Sequence, residues 1–178
     1  MIEQVLSFWF ERHEPEQWWT KDPAFDEAIR REFGALHAIA AKGELHDWRE
    51  GPDGRLAEII VLDQFSRNLY REDPRAFACD GMALALAQEA VRIGADRSVE
   101  HERRTFFYMP YQHSESPRIQ EIAVTLFESL DDPESLKYEL QHKAIIDRFG
   151  RYPHRNEALG RQSTAEEIAF LKTPDSSF

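Results

Sequence analysis

The chain has 178 residues, 42% of them hydrophobic and 12% aromatic, which suits one domain with a sizeable core and excludes a disordered composition. Its net charge of −11 argues against general nucleic-acid binding, because neutralising phosphates requires net positive surface. Cys79 is the one cysteine, so no intrachain disulfide forms.

Taken in order, Ile2, Val5, Leu6 and Trp9 fall at helical spacing and predict a helix over 2–12. Phe8, Trp9, Phe10, Trp18 and Trp19 are more aromatics than one helix face hides, so core packing against later elements is expected. Asp22-Pro23 is a helix start, followed by Phe25, Ile29, Phe33, Leu36 and Ala40, with Gly43 as the stop. Residues 51–54 read as a turn before a helix over 55–69 with Leu56, Ile59 and Ile60 inward. Asp63 continues that stripe where an apolar residue is expected, and Arg67 lies one turn on, the spacing of an ion pair.

Asp73-Pro74 predicts another start, with Phe77, Leu84, Ala87 and Val91 on one side and Asp80 facing inward with them. A helix over 99–109 is expected to break at Pro110, and 111–115 to form a loop carrying His113 and Glu115. Ser116-Pro117 opens an amphipathic helix through Ile119, Ile122, Ala123, Leu126, Phe127 and Leu130. Asp132-Pro133 opens the last long helix, whose Tyr138, His142, Ile145 and Phe149 share a face up to Gly150. Ser163 and Glu166 fit a capping box for a final short helix with Ile168 and Leu171. No segment alternates as a strand does. The reading is an all-α single domain over 1–178, seven or eight helices, with a loose tail over 174–178.

The stretch His142–Arg161 holds five Lys/Arg (Lys143, Arg148, Arg151, Arg155, Arg161) against Asp147 and Glu157, a local charge of +3 in an acidic chain. With it go His154 and Asn156. Asp63, Gln64, Arg67, Asn68 and Asp80 supply a second polar group, and His113, Glu115 and His142 a third. Two readings stand. Either Asp63 and Asp80 anchor the late arginines so that segment 150–162 docks on the helices, or some arginines face a cleft as an anion site, for which guanidinium is suited. His113, Glu115, His142 and His154 are donors a divalent metal accepts, but their spacing matches no metal motif, and no metal or cofactor is expected. Neither a phosphate-binding loop nor a dinucleotide fingerprint, nucleophile elbow or zinc-protease motif is present.

The blocks VLSFWF, WW…DPAFD, LDQFSRNLYR, AFACD, YMPYQHSES…Q and RFGRYPHRNEALGRQST, in that order over nearly the whole length, resemble the bacterial family DUF924. The resemblance implies an all-helical fold similar to tetratricopeptide-repeat proteins without their consensus, and no established activity. The family pattern is met at Asp63, Gln64, Arg67, Asn68, Asp80, His113, Glu115, His142, Arg151, His154, Arg155, Asn156 and Arg161, and departs at Ser66, where the family often has proline.

Three functions are consistent with these observations. The first is a binding module for a small anion or an acidic peptide. The second is a hydrolase or transferase acting on an anionic metabolite, with His113 or His154 as acid or base. The third is a purely structural polar network. No apolar run approaches the roughly 20 residues of a membrane helix. The N-terminus lacks a basic signal segment, and the single cysteine fits a reducing compartment, so the expected location is the cytoplasm with neither membrane nor nucleic acid as partner.

Overall fold

Proline placement explains where the helices begin. In the computed structural model, which describes residues 1–174 and 176, prolines open helices α3 (Pro23–Ala40), α4 (Pro52–Leu69), α7 (Pro117–Glu128) and α8 (Pro133–Phe149). Each sits in the first turn, where its missing N–H has no intrahelical partner to lose. Asp22 caps α3 by accepting from the Ala24 and Phe25 N–H groups at 2.8 and 3.3 Å, and Asp132 caps α8 through Glu134 N–H at 3.1 Å. The other helices are α1 (Ile2–Phe10), α2 (Glu16–Trp19), α5 (Asp80–Arg92), α6 (His101–Gln112) and α9 (Ala165–Phe170), with short 3-10 turns between. No strand occurs among the described residues, so the protein is all-helical. Nor is any helix long and apolar enough to cross a membrane.

Several boundaries differ from the sequence reading. Helix α4 begins at Pro52 rather than 55, so the presumed turn is its first turn. Gly54 is required there, because a Cβ would meet the Trp48 carbonyl oxygen at 1.9 Å. Pro74 opens only a 3-10 turn to Phe77, and α5 starts at Asp80, burying Ala83, Ala87 and Ala90. Pro110 does not break α6, which runs on to Gln112; burial of Phe106 through Met109 and of Tyr111 outweighs the lost N–H. The capping box is one residue later than expected, Thr164 with Glu167. Of the expected loose tail, Asp175, Ser177 and Phe178 lie outside the described residues, while Ser176 donates to Leu171 O.

The chain divides into two compact units, Met1–Arg71 with Arg75–Pro110, and Glu72–Pro74 with Tyr111–Phe178. In the first, α4 packs against α1, α3 and α5 and is buried along almost its whole length, a central helix rather than one with a single inward stripe. An aromatic core surrounds it. Phe33 lies 5.1 Å from Phe65 and 5.0 Å from Phe8, and Trp9 meets Phe106 edge-on at 5.7 Å. Trp18 donates to Trp9 O at 2.9 Å, whereas Trp19 is 59% exposed and stacks on Phe106 at the core's edge, their ring centroids 6.3 Å apart. In the second unit α7 packs on α8, and Ile145, Ile146 and Tyr152 form a small apolar cluster with Phe149 and Phe170. Here the expected stripes hold at Ala123, Phe127, Leu130, His142 and Ile145 and are corrected at single positions. Tyr138 is 47% exposed and Ile122 41% exposed, and the positions turned inward are Glu139 on α8 and Gln120 on α7.

Candidate functional site

The predicted polar residues fall into two groups, each built inside one unit. In the first unit, α4 projects Asp63 and Arg67 one turn apart, and they pair as their spacing predicts at 3.1 Å. The Arg67 fork also reaches both carboxylate oxygens of Asp80 at 3.0 and 3.1 Å, tying the start of α5 to α4. Gln64 donates to Asp63 at 2.6 Å. Asn68 donates to Asp26 on α3 at 2.8 Å, and Arg71 grips the same carboxylate with two N–H groups. Of the five candidates in this group, Arg67 with Asp80 joins α4 to α5 and Asn68 joins α4 to α3, while Asp63 and Gln64 bond within α4. A buried carboxylate without a guanidinium is costly, and here Asp63 has one.

In the second unit the late arginines find acids of their own. Arg161 forks onto Glu115 at 2.6 and 2.9 Å and donates to Asn156 Oδ1 at 2.9 Å. Arg151 forks onto Glu167 at 2.6 and 2.8 Å, and Arg148 onto Glu166 at 2.8 and 2.9 Å. The anchoring of these three arginines on Asp63 and Asp80, one of the two readings of the sequence, is corrected: their acids come from the same unit, Glu166, Glu167 and Glu115. Arg151 holds the Glu167 carboxyl down at about 2, helped by the Thr164 N–H. Burial alone would raise Glu115, but Arg161 and the Tyr152 N–H (2.8 Å) outweigh it and leave its carboxyl below the usual range.

Inside this frame lies a buried polar interior centred on Tyr152. His142, His154 and the Arg155 guanidinium all lie against the Tyr152 ring, at 5.7, 5.6 and 4.5 Å. Arg155 is only 6% exposed and donates to His113 O at 3.0 Å. The Tyr152 hydroxyl donates to Gln112 O at 2.5 Å and accepts from Gln120 Nε2 at 3.0 Å. Burial raises this phenol above its ordinary pKa. Burial likewise pushes His142 down to about 3, with His113, His154 and Arg155 adding charge repulsion, so its imidazole is neutral at physiological pH. Its Nδ1 lies 2.8 Å from Tyr138 O and therefore carries the proton.

Glu139 is the residue that sequence reading missed. It is fully buried one turn before His142, and burial pushes its carboxyl up to about 8. The Gln112 side chain approaches it without completing a hydrogen bond on either oxygen. A glutamate in a helix reads by default as solvent-facing. The signal available was its position three residues before His142, which puts both on one face. Gln112, Gln120 and Tyr152 were missed for the same reason, since none stands out by type. Among the described residues no group of three or more His, Cys, Asp or Glu side chains is arranged to hold a metal ion.

Sequence and overall fold have relatives among known proteins. A family model described as "Bacterial protein of unknown function (DUF924)" matches residues 5–175. The solved structure of a protein of unknown function, ATU0120 from Agrobacterium tumefaciens, is similar to this chain with a TM-score of 0.92, 38% identity and 96% of each chain covered. No curated protein matches.

Proposed function

The chain belongs to DUF924, a bacterial family of unknown function, and from that premise we propose that it is a cytoplasmic binding module of stacked, tetratricopeptide-like helical hairpins that takes a small anionic ligand or acidic peptide terminus. The ligand would meet His113, His154 and Arg155 in the second unit. The observation that carries this reading is the gathering of His142, His154 and Arg155 on one tyrosine ring, with His113 tied to Arg155 by its carbonyl. Cationic and protonatable groups packed this closely repel one another, and a bound anion relieves that repulsion through charge-assisted hydrogen bonds. Arg148, Arg151 and Arg161 are not part of the reading, because Glu166, Glu167 and Glu115 already neutralise them. Thermal melts with phosphate, citrate and an acidic peptide test it. A true ligand at one hundred times its Kd adds about 2.7 kcal/mol, and the shift should grow with concentration and vanish in His154→Ala. No shift with any of the three ends the proposal.

A second reading has its own support in Glu139. A carboxylic acid protonated near neutral pH is suited to general acid catalysis, which would make the protein a hydrolase or transferase on an anionic metabolite, with His113 or His154 completing the proton transfers. Turnover of a screened substrate that survives both His113→Ala and His154→Ala would remove it.

A further inference from the structure

Five carboxyl groups are buried among the described residues. Glu58, Asp63 and Glu167 each meet a guanidinium, and Asp96 accepts from the Tyr108 hydroxyl. Glu139 differs from all four: it is 0% exposed, and neither of its oxygens is hydrogen-bonded. On its own helix the cation that acts on it is Lys143, whose ammonium already meets Asp147 at 2.6 Å. His142, one turn on, is neutral, and the charge of His113, His154 and Arg155 acts on that imidazole. Gln112 at the end of α6 offers an amide, and Tyr152 beyond α8 a phenol. On α7, the helix packed against α8, Arg118, Glu121 and Glu128 are exposed, and the buried Gln120 is uncharged. The interior therefore has little to stabilise a negative charge at this point.

An ionised carboxylate without a partner is so costly to bury that such a group keeps its proton or reaches water. We propose that Glu139 is a proton-operated latch on the second unit: with the proton in place α8 stays packed on α7, and losing it drives the pair to open. Opening hydrates the carboxylate and gives its proton to solvent, so each pH unit favours the open form roughly tenfold more. Burial raises the carboxyl to about 8 in the closed form from 4.5, and the effect runs between these two values. Below 6.5 the opposite response of His142 offsets it, which leaves pH 6.5 to 8 as the window in which the latch acts alone. The latch needs no ligand and stands apart from the anion-binding reading.

The test is amide hydrogen exchange of the full chain across that window, each rate divided by the intrinsic rate at the same pH. Protection of the α7 and α8 amides should fall roughly tenfold between pH 6.5 and 8, while that of α3 and α4 stays within about twofold. In Glu139→Gln the α7 and α8 protection should stay level with pH; a folded variant that keeps the fall overturns the latch. The wild-type profiles decide the matter even if that variant fails to fold. Level protection in α7 and α8, or a fall shared equally by α3 and α4, overturns it. Tyr152→Phe removes the neighbouring phenol and should keep the wild-type slope, and a slope lost there would assign the proton to Tyr152 and not to Glu139.

Discussion

The two units differ in how most of their buried charge is met. In the first, Asp63 and Asp80 share Arg67 and Asp26 is held by Arg71, while the buried Asp96 accepts from the Tyr108 hydroxyl at 2.7 Å. In the second, the carboxylates near the surface are paired, but the interior keeps a neutral acid, Glu139, and a neutral imidazole, His142. The paired groups do structural work. Displaced protonation states of this kind cluster where binding or catalysis has shaped the environment, and those of Glu139 and His142 support the function proposed for the second unit.

Substitutions test that contrast, and the largest effect belongs to the aromatic core. Phe65→Ala should destabilise by about 3–5 kcal/mol in denaturant unfolding, since the ring is fully buried among other rings. Arg67→Ala should cost nearly as much, about 3 kcal/mol, by taking the guanidinium from the buried Asp63 carboxylate, whereas Asp80 retains partial access to water. A loss under 1 kcal/mol there would show that the first unit's pairs are ornamental to its stability. Tyr152→Phe should cost about 1 kcal/mol, the loss of hydrogen bonds whose partners, Gln112 O and Gln120 Nε2, still bond each other at 2.7 Å. At the small end, Glu166→Gln, which removes an exposed pair with Arg148, should change stability by less than about 0.5 kcal/mol.

The pH dependence of stability sharpens the comparison further. The folded pKa of Glu139, about 8, is raised from 4.5, so its contribution is fully present below 4.5 and is lost as pH rises towards 8. The folded pKa of His142, about 3, is lowered from 6.5, so its contribution is present above 6.5 and is lost as pH falls towards 3. Between 4.5 and 6.5 the two slopes oppose. Urea midpoints of the wild type should therefore change little from these two groups in that window and decline above 6.5. Glu139→Gln should remove the decline above 6.5 and expose a midpoint that rises with pH up to 6.5. A variant with the wild-type profile would mean that Glu139 is ionised in the folded protein.

Much of the framework was legible. Asp-Pro pairs marked the openings of α3 and α8, because a capping carboxylate and a proline at the first position act locally, and Gly150 with φ +68° closed α8. The Asp63–Arg67 pair was legible too, since residues four apart on a helix are neighbours whatever surrounds them. Glu139 and Gln120 were not, and Tyr138 and Ile122 were placed inward in their stead. Periodicity offers two adjacent stripes on α7 and on α8, and residue type favoured the more apolar one. Packing of the two helices on each other kept Ala123, Phe127, Leu130, His142 and Ile145 inside as expected and shifted the stripes at their margins, burying Gln120 and Glu139 in place of Ile122 and Tyr138.

The amino-acid sequence by itself determined the helical class, most helix starts and the presence of a basic late segment, all properties of neighbours along the chain. Only the tertiary structure decided which acids those arginines meet and which polar residues lie inside. Both depend on residues far apart in sequence, such as Arg161 with Glu115 and Arg155 with His113, and burial acts on a side chain through everything packed around it.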